Sequence, residues 1–454
     1  MTDHINRWLL RFAATYLFLL PTNAVTFAVS IAFAGAGLCA VFIFVRTWVD
    51  PAARIPLAGP SILVPLAIWA LWSCASVAWS VDPEYSRAQL AREVMDSSLA
   101  MLVFYVAARD ARSVRVLVGA ALASFACFAL LAIGVDLMAG TWDAGRWHHG
   151  VGTWSTFLVL IAPFMFALIA PPPAGFGGGA RLQVIGLLLL ALLVTTARMT
   201  DNRIVWIALA IVFATASLAA ALRWPQTFTR TPLRWVAPLT LLLLVLGLAF
   251  ADVAEERAKI ARQGSFVVSL ERDPRIVLWE HISGRIAARP WTGYGFGRMI
   301  LAQELESELS DPLLSHAHNV FISQWLQTGL VGMVAFTAFL AALALRYLRF
   351  LRSTDGTLAF VGVAGLALLA GFVAKDLTDD FLFRSNAKEL WAMTAFLLGY
   401  GVRRERALAD GDVPTQAGPR SGRQTRALPS GVSDAAAPAA EAPPYPPRRQ
   451  RESA

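Results

Sequence analysis

The sequence predicts an all-α polytopic membrane protein of about twelve transmembrane helices, with one large, helical, basic loop on its outer side. Three observations predict it. Apolar runs of about twenty residues recur along most of the chain, each long enough for a bilayer core of about 30 Å. Of the 454 residues, 57% are hydrophobic and only 15% charged, against roughly a quarter charged in soluble domains. Arginine also clusters in alternate connections, as the positive-inside rule requires.

Spans are expected at 8–20, 24–45, 60–79, 94–108, 113–138, 153–170, 182–199, 203–222 and 233–250. Three more follow at 318–345, 357–374 and 388–402. The first and fourth are short; the fifth and tenth are long enough to tilt or protrude. With the N-terminus inside, the inner connections carry Arg46 and Arg54, then Arg109, Arg112 and Arg115, then Arg181, then Arg223, Arg230 and Arg234. Arg346, Arg349 and Arg352 follow, and the tail adds Arg403, Arg404 and Arg406. Most outer connections are poorer, so both termini are expected in the cytoplasm. The net charge of +8 is then a product of topology, not a nucleic-acid footprint. Thr2 to Trp8 is polar and no small-residue cleavage site follows, which predicts an uncleaved first helix. Cys39, Cys74 and Cys127 lie inside apolar runs, with neither a disulfide framework nor a zinc spacing.

Residues 1–250 thus hold the first nine spans, 251–317 the outer loop, 318–402 the last three spans and 403–454 a tail. From about Gly411 the tail is rich in Pro, Ala, Arg and Ser, a composition that predicts disorder.

The outer loop breaks the charge rule, since it is basic yet falls outside. It carries Arg257, Lys259, Arg262, Arg272, Arg275, Arg285, Arg289 and Arg298. Contact with anionic headgroups is one explanation. A sharper one is a phosphate site, because guanidiniums bind phosphate oxygens bidentately and stay charged at any relevant pH. Ala254 to Arg262 reads as a short helix. Asp273-Pro274 reads as the start of another, which Pro290 stops after Arg289. Arg275 and Trp279 share one face of it, as do Arg285 and Arg289. Gly293, Gly295 and Gly297 alternate with Tyr294 and Phe296, the pattern of a flexible backbone that approaches something closely.

The loop ends at Ser315-His316-Ala317-His318-Asn319. Alternating histidines can ligate metal, but a site needs further ligands, and Glu304, Glu306, Glu308 and Asp311 match no ligand spacing. A histidine base is the better reading, since imidazole titrates near neutral pH. Arg203 sits at the outer end of a span, where a charge is costly and suggests function, although interfacial snorkelling also accounts for it. Asp376, Asp379 and Asp380 form an acidic cluster near Lys375 and Arg384 and are expected to pair with the basic loop. His148 and His149 share another outer loop with Trp142, Trp147 and Trp154, which read as interfacial aromatics.

His318-Asn319, followed after nine residues by Gly329 and after two more by Gly332, resembles the signature of bacterial O-antigen ligases and their polymerase relatives. Thr200-Asp201-Asn202-Arg203 resembles the family's Ser-Arg segment, with Asn202 where serine is usual. Arg275 to Trp279, with Pro290 and the three alternating glycines, resembles its loop motif. The resemblance covers residues 195 to 335. It implies an integral-membrane, metal-independent, inverting glycosyltransferase of the bacterial inner membrane. Such an enzyme transfers O-antigen polysaccharide from undecaprenyl pyrophosphate to lipid A-core at the periplasmic face. His318 is then the general base, with Arg203 and Arg275 on the pyrophosphate. Arg285, Arg289, His316, Asn319 and Trp279 are the expected substrate contacts; neither cofactor nor metal is expected. An O-antigen polymerase or a protein O-oligosaccharyltransferase is the alternative within the superfamily. A polyprenyl-sugar transporter is less favoured, because neither paired broken helices nor internal symmetry is evident.

Overall fold

The computed structural model describes residues 2–50, 54–169, 179–200, 202–226, 274–309 and 314–411, with the single positions 247 and 251. All lie in a unit spanning Met1–Thr415; a second unit, Gln416–Ala454, falls outside them together with the predicted tail. The described residues are helical, without strands. The helices are α1 (Thr2–Leu19), α2 (Thr26–Val49), α3 (Pro60–Ala75), α4 (Pro83–Gln89), α5 (Asp96–Ala107), α6 (Ala111–Ala139), α7 (Ala144–His148) and α8 (Val151–Ile169). They continue as α9 (Ala180–Met199), α10 (Arg203–Arg223), α11 (Pro274–Ala288), α12 (Ala302–Leu309), α13 (Val320–Leu351), α14 (Gly356–Asp376) and α15 (Arg384–Ala409). Their starts follow local chemistry. Asp82, Asp110, Asp143 and Asp355 each accept a backbone N–H of the first turn, which satisfies donors that a helix start leaves over.

Eight of these helices are long and apolar enough to cross a membrane: α2, α3 with the 3₁₀ turn Ser76–Trp79, α6, α8, α9, α10, α13 and α14. The sequence reading expected about twelve. Span 233–250 lies, but for position 247, outside the described residues. The other three expected spans are helices of a different character. α1 carries Asp3, Arg7 and Arg11. α15 carries Arg384, Lys388 and Glu389 in its first turns. α5 has 12 residues but continues a helical run from Pro83 through α4 and a π turn at Leu90–Met95. The expected short helix at 254–262 also lies outside the described residues.

Burial places α8 and α14 at the centre, with 83% and 78% of their apolar windows covered, against 28% for α2 and 22% for α3. α14 packs on α8, α10 and α13, while α13 also packs on α3, and α15 on α5. The opposite ends of the bundle differ. At one end arginines close the helix termini: Arg404 pairs with Asp355 at 2.8 Å and Arg223 donates to Ser353 O at 2.7 Å.

α13 is broken at Gly329, whose φ of 70° and ψ of −175° are not helical. The sequence reading did not foresee a broken helix. The loop after α11 runs through the break and satisfies the backbone there. Tyr294 N donates to Leu326 O at 3.0 Å, Gly295 N to Gln327 O at 2.9 Å, and Leu330 N to Pro290 O at 2.8 Å. Groups released from the helix ladder therefore find partners, as buried backbone requires. The fit is tight: a Cβ at Gly329 would stand 2.1 Å from Trp291 O, and one at Gly293 would stand 2.5 Å from Gln327 O. α3 and its 3₁₀ turn brace the other side, with Trp72 Nε1 donating to Thr328 O at 2.7 Å and Trp79 Nε1 to Thr292 O at 2.8 Å.

Helices α11 and α12 share a small apolar core of Leu278, Ile282, Tyr294, Leu301, Leu305 and Leu326. Leu326 comes from α13, so this core joins the loop to the bundle rather than leaving it as a separate cap.

Candidate active site

The connection from Leu314 to Asn319 leads into α13. Asn319 caps it, its Oδ1 accepting from Phe321 N at 2.9 Å and Ile322 N at 3.1 Å. Its Nδ2 donates to Leu377 O at 2.8 Å, which ties the start of α13 to the end of α14. This tether brings Asp379 beside His318: Nδ1 of the imidazole lies 3.7 Å from Asp379 Oδ1. Lys375 Nζ holds the other carboxylate oxygen at 2.9 Å. His318 has a φ of 48°, a left-handed backbone that side chains rarely adopt and that functional sites often retain.

His316 stacks against His318, with ring centroids 3.8 Å apart, and its Nε2 contacts the Arg298 guanidinium. Burial pushes the His316 imidazole far below its ordinary value, and Arg298 and His318 add to the push, so His316 stays neutral. Asp379 shows the opposite balance. Burial raises its carboxyl, yet the His318 imidazole beside it and the hydrogen-bonded charge of Lys375 overcome burial and leave it well below the usual carboxylate range. Arg298 reaches further, with Nε 4.0 Å from Asp380 Oδ2 and its plane over Phe383 at 4.2 Å. Of the acidic cluster, Asp380 thus meets the basic loop through Arg298, whereas Asp379 pairs with Lys375 and Asp376 accepts from Phe381 N.

Beside His318 lies a cavity of about 410 Å³ whose lining includes Thr200, Asn202, Arg203, Arg275 and Asp379. Arg203 begins α10 and Arg275 begins α11. Two arginines from different parts of the chain thus share one cavity with the carboxylate that holds His318. Asn202 Nδ2 donates to Ser155 Oγ at 3.0 Å, which anchors the turn before Arg203.

The remaining residues singled out by sequence fall into other positions. Trp279, one turn after Arg275, donates from Nε1 to Ala317 O at 2.8 Å and steadies the backbone between the two histidines. Asn319 serves as the cap and tether described above. Arg285 pairs with Glu304 at 3.2 Å and with Glu308, and Arg289 lies over the Tyr294 ring at 4.8 Å. Neither lines the cavity; both fasten the loop. Sequence reading did not single out Arg298, Lys375 or Asp379 as site residues. The Lys375–Asp379 spacing of one helical turn was visible, but nothing in the sequence joined it to His318.

His316, His318 and Asp379 bring one ligand atom each within 4.8 Å of one another, which is compact enough for a metal ion. Arg298 against His316 and Lys375 against Asp379 put two cations at the approaches such an ion would need. The donor set suits a base oriented by a carboxylate better than a metal centre.

The fold and this geometry define a multi-pass, all-helical membrane protein with an arginine-lined cavity next to a histidine–carboxylate pair. A family model described as O-Antigen ligase matches residues 187–337. That stretch runs from α9 into α13 and contains Arg203, Arg275, His316 and His318. It bears out the resemblance read from the sequence and supports membership of the O-antigen ligase superfamily, with a ligase- or polymerase-type activity. No curated protein matches the chain.

Proposed function

We propose that this protein is an O-antigen ligase that transfers polysaccharide from undecaprenyl pyrophosphate to lipid A-core at the periplasmic face of the inner membrane. The observation that carries this reading is the single cavity lined by Arg203, Arg275 and Asp379, with Asp379 beside His318. A sugar hydroxyl is a weak nucleophile and needs a positioned base. Asp379 at Nδ1 leaves Nε2 of His318 to take the hydroxyl proton as the oxygen attacks C1 of the donor sugar. The bond from C1 to the pyrophosphate oxygen breaks and the configuration at C1 inverts. The departing undecaprenyl pyrophosphate carries growing negative charge, which Arg203 and Arg275 stabilise without a metal. Two lipid-anchored substrates account for the membrane setting. The large loop faces the periplasm in this reading, with both termini in the cytoplasm.

Deletion in the native host followed by lipopolysaccharide electrophoresis tests the reading. Core lacking all O-antigen is the ligase result. Core bearing a single repeat indicates a polymerase instead. His318→Ala, returned to the deletion strain and inserted at wild-type level, leaves the core uncapped; normal capping by this variant removes His318 as the base.

A further inference from the structure

A second cavity, of about 490 Å³, opens between α6, α8, α9, α14 and α15. Its size falls within the roughly 300–1,000 Å³ of ligand pockets. The walls are apolar, formed by residues such as Val118, Leu122, Phe164, Leu189, Phe360 and Ala364, and one charge, Arg115, lies on its lining. On α8 the lining runs over Phe164–Leu168, whereas the catalytic cavity is touched by Val151. At 1.5 Å per residue the two are separated by about 20 Å along the helix, so this cavity sits toward the opposite end of the bundle.

We propose that this cavity binds one acyl chain of an anionic phospholipid from the leaflet opposite the active site, with the headgroup held by arginine. Three observations carry it. The walls offer an acyl chain apolar surface and give a substrate sugar nothing to hold. Charge is gathered at one rim: Arg115 lines the cavity, Arg112 lies one turn earlier on α6, and Arg181 precedes the lining residue Leu182 on α9, all three exposed. Basic residues at a membrane surface attract anionic headgroups. Gly119 opens the wall, since a Cβ built there meets nothing within 4 Å, although Gly119 itself lines the cavity. The space beside it is free for an alkyl chain.

The purified full-length protein, melted in mixed micelles with phosphatidylglycerol or with phosphatidylcholine, provides the test. Phosphatidylglycerol raises the melting temperature of the wild type by about 3 °C more than phosphatidylcholine does. Arg115→Gln with Arg181→Gln abolishes that difference. Gly119→Phe, which fills open space and folds normally, loses the response while its lipid-free melting temperature holds or rises. Equal stabilisation by both lipids in the wild type overturns the proposal, as does an undiminished response in Gly119→Phe. A response to undecaprenyl phosphate alone, blocked by Gly119→Phe, also overturns it, assigning the groove to a polyprenyl chain. The readout is binding, so it stands or falls separately from the ligase reading.

Discussion

Single residues divide the site into groups proposed to act on substrate and groups that hold the fold around them. Arg203→Ala and Arg275→Ala are expected to weaken use of the lipid-linked donor, each by tenfold or more in kcat/KM at about 1.4 kcal/mol per tenfold; unchanged turnover at low donor in both variants rules out a phosphate role. Arg298 touches His316, Asp380 and Phe383 at once. Arg298→Gln is expected to lower kcat with KM little changed, and Arg298→Lys to recover part of the loss; a KM effect alone would argue against a positioning role. His148 is buried away from the cavity among aromatic rings. It stacks on Trp154 at 3.9 Å and its Nδ1 is bonded to Pro21 O at 2.9 Å. Burial pushes its imidazole down to about 4, whereas an unfolded histidine titrates near 6.5. Between about pH 6.5 and pH 4 the unfolded chain gains a proton that the folded chain does not, so stability falls as pH drops through that window. The full effect is about 3 kcal/mol. His148→Phe should flatten the decline of melting temperature between about pH 7 and 4.5, and parallel curves would contradict this assignment. The sequence singled out His318, Arg203 and Arg275, through the spacing to Gly329 and through charge at a span's end, and the structure places both arginines on one cavity with the Asp379 that faces His318. Asp379 and Arg298 were not legible in this way, because their roles arise from contacts between segments that no local pattern connects.

Among the elements, regular helices were the legible part. Hydropathy located α6, α8, α9, α10 and α14 to within a few residues, and Pro274 and Pro290 bracketed α11. The same signal placed α5 to within a few residues but was silent on the helical run leading into it from Pro83, which begins among polar residues. The break in α13 was equally hidden. A glycine inside an apolar run reads as close packing, and only the loop from Pro290 to Gly295 reveals that the helix is interrupted. Gly329→Ala places a Cβ on backbone with a φ of 70° and against Trp291 O. We expect it to destabilise by about 2 kcal/mol or more, seen as a lower melting temperature and less monodisperse protein by size exclusion. A variant as stable as wild type would show that the interlock does not hold the fold.

Taken as a whole, the molecule puts its basic helix ends at one side of the bundle and its arginine-lined cavity at the other. Cysteine labelling tests which side is which. In a variant lacking Cys39, Cys74 and Cys127, Ser307→Cys should react with an impermeant maleimide from the periplasmic side, and Gly411→Cys only after permeabilisation. The reverse pattern would invert the topology. Composition and arginine placement sufficed to predict a polytopic membrane bundle, since both follow from the solvent each segment faces. Whether the basic loop met the histidines depended on long-range packing, here the small core that joins α11 and α12 to Leu326.

The interlock around Gly329 also sets an order of assembly during synthesis. Trp69 donates to Gln324 Oε1 and Trp72 to Thr328 O across separations of 255 and 256 residues. At ribosomal rates of about 5–20 residues per second, α3 waits on the order of tens of seconds for its partner. The loop from Pro290 to Gly297 emerges before α13 and has no helix to thread until α13 inserts. His318 directly precedes α13, so the proposed base arrives only with that segment, and the Asp379 that faces it later still, after α14. A chain arrested earlier in biogenesis carries Arg203 and Arg275 without the proposed base. It would remain inert toward sugar donors already present in the same membrane.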